Sequence, residues 1–472
     1  MRSKRTLALI MAALMVSATA AGCKPGDETS SAAEPGSSSD GTSATEEFVP
    51  NDGSYPVVDL DGYEFVVADC THYGDYELYP EGTSLYWDAF WENKRQVEED
   101  LNCTISYKFY DPVSNFDTIF PELMSGNKIS DIQYSPIHTL GAYISADMVA
   151  DLSDLPGVDM NAKYWNQAMT KACTIDGKIY ATSNDLVYHG DRLGGLFYNR
   201  TLINKLGMED PYDLVKKDQW TFAKFREMAL AATKDNGDGV WTSDDIYGLV
   251  STNTGPNFYY AGGNRVLQEV DGKMKFTMNT PQSLETIRFI QDILYNDGVF
   301  YHLTADEHWT NWHKMLANGH ALFLSCTASE TEYMREGTDV YGWVPTPKGP
   351  HAADYAAPIE WNSAIMYILK TNTDLDKTGP VIEALAYLGH KMHEAAIEEM
   401  YEVRFNGDEK SIEMLELTVE KQVFDIFLTL VVPEARSVYD QCLNAQTNDP
   451  ASIIQSNEQT VQIAVDEVFN NA

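Results

Sequence analysis

The chain has 472 residues, 44% of them hydrophobic, and a formal net charge of -38 at pH 7. This length suits two or more lobes, because a single hydrophobic core stops growing at about 250–300 residues. Such a negative charge repels nucleic acid and anionic lipid, so neither is expected as a partner.

The N-terminal segment has the organisation of a secretory signal peptide. Residues 1–22 combine a basic start, an apolar run over 6–16 and small residues up to Gly22. The apolar run is too short to span a bilayer, which needs about 20 residues. The small residues before Cys23 resemble the lipobox of bacterial lipoproteins, although Ala20 stands where leucine is usual. We therefore expect Cys23 to carry a lipid anchor; the alternative is a cleaved signal peptide followed by an incidental cysteine.

Residues 23–56 follow as the lipidated cysteine and a tether rich in Ser, Gly and Glu. This composition cannot bury a core and predicts disorder. The other cysteines show neither CxxC nor zinc-site spacing, which predicts buried free thiols rather than a disulfide framework. They are Cys70, Cys103, Cys173, Cys326 and Cys442.

The folded part begins with alternating strand and helix patterns. Strands are predicted over 63–69, 104–110 and 130–134, and helices over 84–101 and 115–124. This order is typical of a parallel, doubly wound sheet. In such sheets ligands lie beyond the carboxyl ends of the strands, so the loops after Asp69 and Tyr134 are the first candidates for a site.

Further along the chain, two helix starts carry clear capping signals. Thr221 is a predicted N-cap, and Thr280 caps a helix that has Pro281 at its first position. After Gly379 the pattern is mainly helical to the end of the chain.

Several motifs in this order resemble the extracellular solute-binding proteins of bacterial ABC importers, in the family-1 group that includes maltose-type sugar receptors. The resemblance covers about residue 57 to the C-terminus. It rests on the lipobox, Asp131-Ile132, Asp176-Gly177-Lys178-Ile179-Tyr180, Leu196-Phe197-Tyr198-Asn199, Trp220-Thr221, Asn318-Gly319-His320-Ala321 and Pro345-Thr346-Pro347-Lys348-Gly349.

The resemblance implies an α/β fold of two lobes, each a doubly wound sheet with flanking helices, around a ligand cleft. It implies an N-terminal lobe of 57–190 plus 363–420 and a C-terminal lobe of 191–362 plus 421–472. Gly190, Gly194 and Gly195 would suit a hinge at the first crossing; a simple glycine-rich turn is the alternative.

Sugar recognition needs aromatic faces for C–H surfaces and fixed polar groups for hydroxyls. The family pattern implies ligand contacts at the strand ends and crossings, chiefly from Trp361, Asp191 and Arg192. A core position for Trp361, and mutual neutralisation of Asp191 and Arg192, are the alternatives, while Trp309 and Trp312 are interpreted as helix packing. The full set is Thr71, His72, Ser135, His138, Asp191, Arg192, Asn257, Phe258, Glu330, Trp361 and Asn362.

Residues 234–245 resemble an EF-hand calcium loop, with Asn236, Asp238, Thr242 and Asp245 at ligand positions. Lys234 occupies the first ligand position and cannot coordinate a metal. A degraded calcium site and an acidic turn are therefore the two alternatives, and no other cofactor is expected.

The resemblance implies a monomeric, non-catalytic receptor that is lipid-anchored outside the cytoplasm and delivers a carbohydrate or another small solute to ABC permease subunits. The sequence contains neither a GxSxG motif nor a phosphate-binding GxxxxGK loop. A secreted glycoside hydrolase is the alternative, since two carboxylates could be paired in so acidic a chain.

Overall fold

A computed structural model of the chain describes residues 55–71, 79–184, 190–444 and 449–470. The predicted signal peptide, Cys23 and nearly all of the predicted tether lie outside these ranges. The strands are β1 Tyr63–Asp69, β2 Cys103–Phe109, β3 Ile132–Pro136, β4 Thr174–Ile175, β5 Lys178–Ile179, β6 Gly194–Asn199, β7 Tyr247–Ser251, β8 Leu267–Val270, β9 Lys273–Phe276, β10 Ala321–Thr327, β11 Tyr341–Pro345, β12 Ala357–Pro358, β13 Ala364–Tyr367 and β14 Gln422–Val423.

The α-helices carry numbers in chain order as well. They are α1 Leu85–Asp100, α2 Asn115–Met124, α3 Leu140–Ser145, α4 Gln167–Ala172, α5 Arg200–Leu206, α6 Pro211–Lys216, α7 Phe222–Ala232, α8 Thr254–Ala261, α9 Pro281–Gln291, α10 Asn311–Ala317, α11 Leu375–Glu399, α12 Glu409–Glu420, α13 Pro433–Asn444 and α14 Pro450–Phe469. The predicted caps are confirmed, because Thr221 accepts a hydrogen bond from Lys224 N and Thr280 accepts one from Ser283 N.

The first sheet has the strand order β13-β3-β1-β2. As predicted, β1 pairs in parallel with both β2 and β3. Strand β13 is antiparallel to β3, since the chain enters this sheet a second time after it has built the other sheet. Phe65 and Val67 point into the core of this lobe, in the alternation expected of a half-buried strand.

Helix α11, with 25 residues, packs beside α1 on the first lobe. The buried Asn93 of α1 fixes this contact, because its Nδ2 donates to Leu388 O at 2.8 Å. Even α11 is interrupted by too many charged residues to lie in a bilayer. Within the described ranges, no helix has the length and apolarity that a membrane crossing requires.

The second sheet has the order β11-β6-β10-β7, in which β10 and β7 are parallel and β6 is antiparallel to both of its neighbours. Its core is rich in aromatic rings. Trp220, which precedes α7, donates its indole N–H to Pro345 O at 2.8 Å and packs against Phe225 and Phe323. The two sheets therefore form the centres of two lobes.

Helix α12 corrects the predicted lobe boundary at residue 420. It packs on β11 of the second lobe, where Trp343 N donates to Ser411 Oγ at 3.0 Å and the Trp343 indole donates to Thr418 Oγ1 at 3.3 Å. The chain thus leaves the first lobe between α11 and α12, through the π-helical turn Met400–Arg404. Amphipathic spacing identifies a helix but does not say which sheet it covers.

The five cysteines in the described ranges are buried and have free thiols, as predicted. Burial raises the pKa of Cys103 to about 11 and that of Cys173 to about 12. Because the thiolate is the reactive form, these side chains act as inert core residues.

Candidate functional site

Residues that follow strands of both sheets meet at one junction between the lobes. Thr252 follows β7 and Glu330 follows β10, and the Thr252 hydroxyl donates to the Glu330 carboxylate at 2.9 Å. His138 follows β3 and contacts Trp361, on the segment that returns to the first lobe. Strand ends of two sheets and a crossing segment are where an α/β fold places a ligand.

His138 and Trp361 form an aromatic pair at this junction. Their ring centroids are 4.5 Å apart with an interplanar angle of 51°, and His138 Nδ1 lies 3.1 Å from Trp361 O. Burial, and to a smaller extent the charge of Arg436, lower the pKa of His138, against the opposing effect of the Trp361 carbonyl. Trp361 is 43% exposed, so its indole is open to solvent and does not fill the core.

Arg192 lies on the first crossing and is tied to the second. Glu360 N donates to Arg192 O at 3.0 Å, and Arg192 Nη1 lies 3.4 Å from Glu360 Oε2. Glu360 is therefore one charge partner of Arg192. Asp191 belongs to the 3₁₀ turn Gly190–Arg192, but its side chain lies outside the described structure, so its predicted solute contact stays a prediction.

Glu330 is held in position by the residues around it. Its carboxylate accepts from Thr252 Oγ1 at 2.9 and 3.1 Å and from Nε2 of the fully buried His313 at 2.5 Å. It also forms a capping box with Thr327 at the start of the turn Ala328–Met334. The Glu330 side chain retains 13% exposure, so a preoriented acceptor is present at the junction.

An aromatic cluster beside Glu330 was not predicted as part of the site. Trp309 and Tyr333 lie edge to face with centroids 4.8 Å apart, and His313 lies 5.3 Å from Trp309 and 5.1 Å from Tyr333. Trp309 packs on His313 of α10, as predicted, but Trp309 and Tyr333 each stay 39% exposed. Trp312 also packs, donating its indole N–H to Tyr301 O. The spacing of Tyr333, three residues after Glu330 in a helical turn, was the available signal.

Burial raises the pKa of Tyr333 to about 12, and the neighbouring carboxylates of Glu332 and Glu330 act in the same direction. The charge of Arg192 opposes them. These electrostatic contacts place Tyr333 near both Glu330 and the first crossing. At neutral pH the Tyr333 hydroxyl is therefore neutral and can both donate and accept a hydrogen bond.

Three predicted contacts are instead core residues. Ser135, Asn257 and Phe258 are completely buried. Asn257 Nδ2 donates to Gly195 O, Ser325 Oγ and Cys326 O at 3.1–3.3 Å, so it ties α8 to the second sheet. Phe258 packs on Phe222. Sequence position beside a strand end does not determine whether a side chain points into the junction or into the lobe.

Of the remaining predicted contacts, one caps a strand, one is exposed and one lies outside the described residues. Thr71 donates its N–H and its hydroxyl to Asp69 Oδ1, both at 2.7 Å, which caps the end of β1. Asn362 is exposed beside Trp361. His72 lies outside the described residues.

The glycines proposed as a hinge have packing roles. A Cβ on Gly194 would lie 1.9 Å from Asn257 Oδ1, and one on Gly195 would lie 2.2 Å from the Trp343 ring. Both residues belong to β6, so they are glycine because other groups approach the backbone closely. Close packing in a strand, rather than a hinge or a glycine-rich turn, therefore explains glycine at these two positions.

The 236–245 loop is closed by hydrogen bonds from its backbone N–H groups to its own side chains. Asp245 is buried, and its two oxygens accept from Asn236 N and Thr242 N, each at 2.7 Å. Asn236 and Asp238 cap the loop in the same way, accepting from Asp238 N and Val240 N. Among the described residues, no group of three or more His, Cys, Asp or Glu side chains could hold a metal. The geometry favours the acidic turn, while calcium binding stays a prediction.

A family model described as bacterial extracellular solute-binding protein, family 8, matches residues 97–378. This match spans more than half of the chain. The chain belongs to the bacterial extracellular solute-binding proteins. This solute-binding protein thus falls in group 8 rather than group 1 of such receptors. No curated protein matches its sequence.

Solved structures of other solute-binding proteins share its two-lobed fold. The GacH receptor of Streptomyces glaucescens, solved unliganded and with acarbose, is 14% identical, with a TM-score of 0.59 over 86% of this chain and 99% of that one. The cyclic α-maltosyl-1,6-maltose binding protein of Arthrobacter globiformis is 14% identical, with a TM-score of 0.61 over 86% and 100%. The maltotriose-bound MalE domain of Bdellovibrio bacteriovorus is 16% identical, with a TM-score of 0.54 over 86% and 99%. At these identities the likeness establishes the fold.

Family membership confirms that this extracellular protein is a non-catalytic receptor of an ABC transporter that binds a small solute. It decides against the glycoside hydrolase alternative.

Proposed function

We propose that the protein captures an oligosaccharide at the junction of its lobes and delivers it to the permease. The half-exposed Trp361, seated on His138 beside the crossing, is the observation that carries this proposal. Aromatic faces bind the C–H surfaces of sugar rings, while fixed acceptors such as Glu330 bind their hydroxyls. Trp309 and Tyr333 supply a second aromatic surface, so more than one sugar ring can be held.

Binding and closure would be coupled by differential affinity. A sugar that contacts Trp361 on one side and Glu330 on the other is held best when the lobes are closed, so it shifts the population toward that state. We place the lobes at 57–190 with 363–399, and 191–362 with 409–472, joined by three crossing segments.

The ligands of the fold neighbours support a sugar. Acarbose occupies the Streptomyces receptor and maltotriose the Bdellovibrio domain. The charge of -38 further disfavours an anionic solute.

Calorimetry and thermal shift with a panel of neutral mono- and oligosaccharides test the proposal. We expect one oligosaccharide to bind with a Kd on the order of 1 μM. At a concentration about a hundredfold above Kd it should stabilise the folded protein by about 2.7 kcal/mol and so raise the melting temperature. The sugar should be recovered unchanged. Stabilisation by peptides or polyamines alone, or by no sugar, would contradict the proposal.

We also propose that Cys23 anchors the protein to the outer face of the membrane through its acyl chains. Mass spectrometry of the purified protein should find a fatty-acylated N-terminal Cys23. A Cys23→Ser variant should move from the membrane fraction to the soluble fraction. An unmodified Cys23 in a membrane-free wild-type protein would contradict the anchor without affecting the sugar proposal.

A further inference from the structure

A second aromatic pocket lies on the second lobe, away from the junction. It has a volume of about 490 Å³ and is lined in part by Trp241, Tyr247, Tyr301, Thr242 and Thr304. Tyr247 begins β7, whereas Thr252 of the junction follows its last residue, so the two sites are roughly 16 Å apart along the strand.

Three rings form one side of the pocket. Tyr247 lies 5.5 Å from Trp241 and 5.0 Å from Tyr301, at interplanar angles of 60° and 56°. Trp241 is 53% exposed, so one part of its indole is open to solvent. A concave site with an exposed aromatic face is typical of ligand binding.

The loop that carries Trp241 is rigid without a bound ion. The buried Asp245 joins Asn236 N to Thr242 N across the loop, as described above. Trp241 stands directly before one of these anchor points. The backbone beside Trp241 is therefore fixed and its ring lies against Tyr247, which reduces the entropy cost of binding.

The polar lining combines one hydrogen-bonded carboxylate with an imidazole, that of His302, and several hydroxyl groups. Glu307, the carboxylate of the pocket, accepts from Tyr301 OH at 2.7 Å, Thr304 N at 2.9 Å and Asn311 Nδ2 at 2.6 Å. The other polar groups are mainly hydroxyls, of Thr242, Ser243 and Thr304. Hydroxyls and aromatic faces match an uncharged polyol, and the negative charge of the chain disfavours polyanions.

We propose that this pocket is an accessory binding site for a neutral glycan, separate from the solute site at the junction. A pyranose ring lies against Trp241, and its hydroxyls bond the threonine and serine side chains. Such a site would hold the receptor on a polysaccharide from which its solute is released.

Native electrophoresis of the purified full-length protein through gels that contain soluble starch, xylan or mannan tests this site. We expect at least one of these neutral glycans to retard the wild type, and Trp241→Ala to weaken that retardation by about fivefold. Val240→Ala, which truncates an equally exposed neighbour (60%) on the same loop, should be retarded like the wild type. Melting temperatures check that both variants are folded.

Trp361→Ala tests whether the two sites are independent. This variant should be retarded by the glycan gel like the wild type but should bind the transported solute more weakly. Wild-type mobility in every glycan gel would overturn the accessory site, as would equal retardation of Trp241→Ala and the wild type. Neither outcome bears on solute binding by thermal shift, so the two proposals fail independently.

Discussion

His138 and Trp361 join the end of β3 to the segment that returns to the first lobe. Their rings lie 4.5 Å apart, and the imidazole contacts the Trp361 carbonyl. The backbone N–H of His138 donates to the same carbonyl oxygen at 3.3 Å. Both contacts fix the crossing segment, so the Trp361 indole is held in place while 43% of it stays exposed.

Trp361→Ala should weaken oligosaccharide binding roughly tenfold, because an aromatic contact contributes on the order of 1 kcal/mol beyond its buried area. The melting temperature should change little, since the ring is half exposed. Calorimetry measures the affinity. Trp241→Ala, another exposed tryptophan outside the junction, is the matched control and should bind the soluble sugar normally. An unchanged Kd in Trp361→Ala would remove Trp361 from the solute site.

Glu330→Gln should weaken solute binding and destabilise the second lobe. The amide nitrogen replaces either the oxygen that accepts from His313 Nε2 or the one that accepts from Thr327 N, so a buried donor loses its partner at a cost of about 1–3 kcal/mol. Urea denaturation measures the stability, and calorimetry measures the Kd. Glu336→Gln, at an exposed position on the same segment, should match the wild type in both. A stable variant with normal affinity would show that the carboxylate has neither role.

His138 should make the protein less stable as the pH falls below about 6.5, the ordinary histidine pKa. Burial lowers the pKa of His138 in the folded state, so the unfolded chain binds a proton more readily there. The free energy of unfolding therefore rises with pH between the folded-state pKa and the unfolded-state pKa, and that gain is complete above the latter.

Denaturation midpoints of wild type and His138→Gln at pH about 5.5 and about 7.5 test this sign. The variant lacks the titrating ring, so the wild type should lose more stability on acidification than the variant. Equal losses in the two proteins would assign the acid sensitivity to other groups.

Gly194→Ala should destabilise the protein by about 1–3 kcal/mol, the usual cost of overpacking. The added methyl group would meet Asn257 Oδ1, and this amide cannot move without breaking its bonds to β6 and β10. A double-mutant cycle with Asn257→Ala gives the coupling. The two changes together should cost less than their sum, because the second removes the clash of the first. Additive effects would contradict the packing role of Gly194.

Removal of calcium should leave the melting temperature of the wild type unchanged, because the 236–245 loop is closed by hydrogen bonds. Asp245→Ala should lower stability by about 1–3 kcal/mol, since it leaves two backbone donors unpaired. Thermal unfolding with chelator and with added calcium measures both effects. A fall in melting temperature on chelation that added calcium reverses would establish a metal site.

Much of the first lobe was predictable because its signals are local. The alternation of residues 63–69 and the helical spacing of 115–124 gave the observed bounds of β1 and α2. The capping threonines located two helix starts for the same reason, since a cap depends on neighbours three residues away. The placement of α12 was wrong, because an amphipathic helix can cover either sheet.

Sequence position at a strand end or crossing indicated His138, Arg192, Glu330 and Trp361, and the structure places all four at the junction, while their contact with a solute stays a prediction. The site was not predictable where side-chain direction decides. Asn257 and Phe258 lie on α8, which follows β7, but their side chains point into the core. Tyr333 and Trp309 come from separate segments and meet only in the folded chain.

The sequence by itself determined the class of this receptor, because the order of its motifs, its acidity and its strand and helix periods are properties of neighbouring residues along the chain. Only the tertiary structure decided which side chains share the junction: that Arg192 pairs with Glu360, that His313 supports Glu330, and that Trp241 borders a separate pocket. These contacts join residues distant in the chain, and they depend on the packing of whole sheets and helices, which no local pattern encodes.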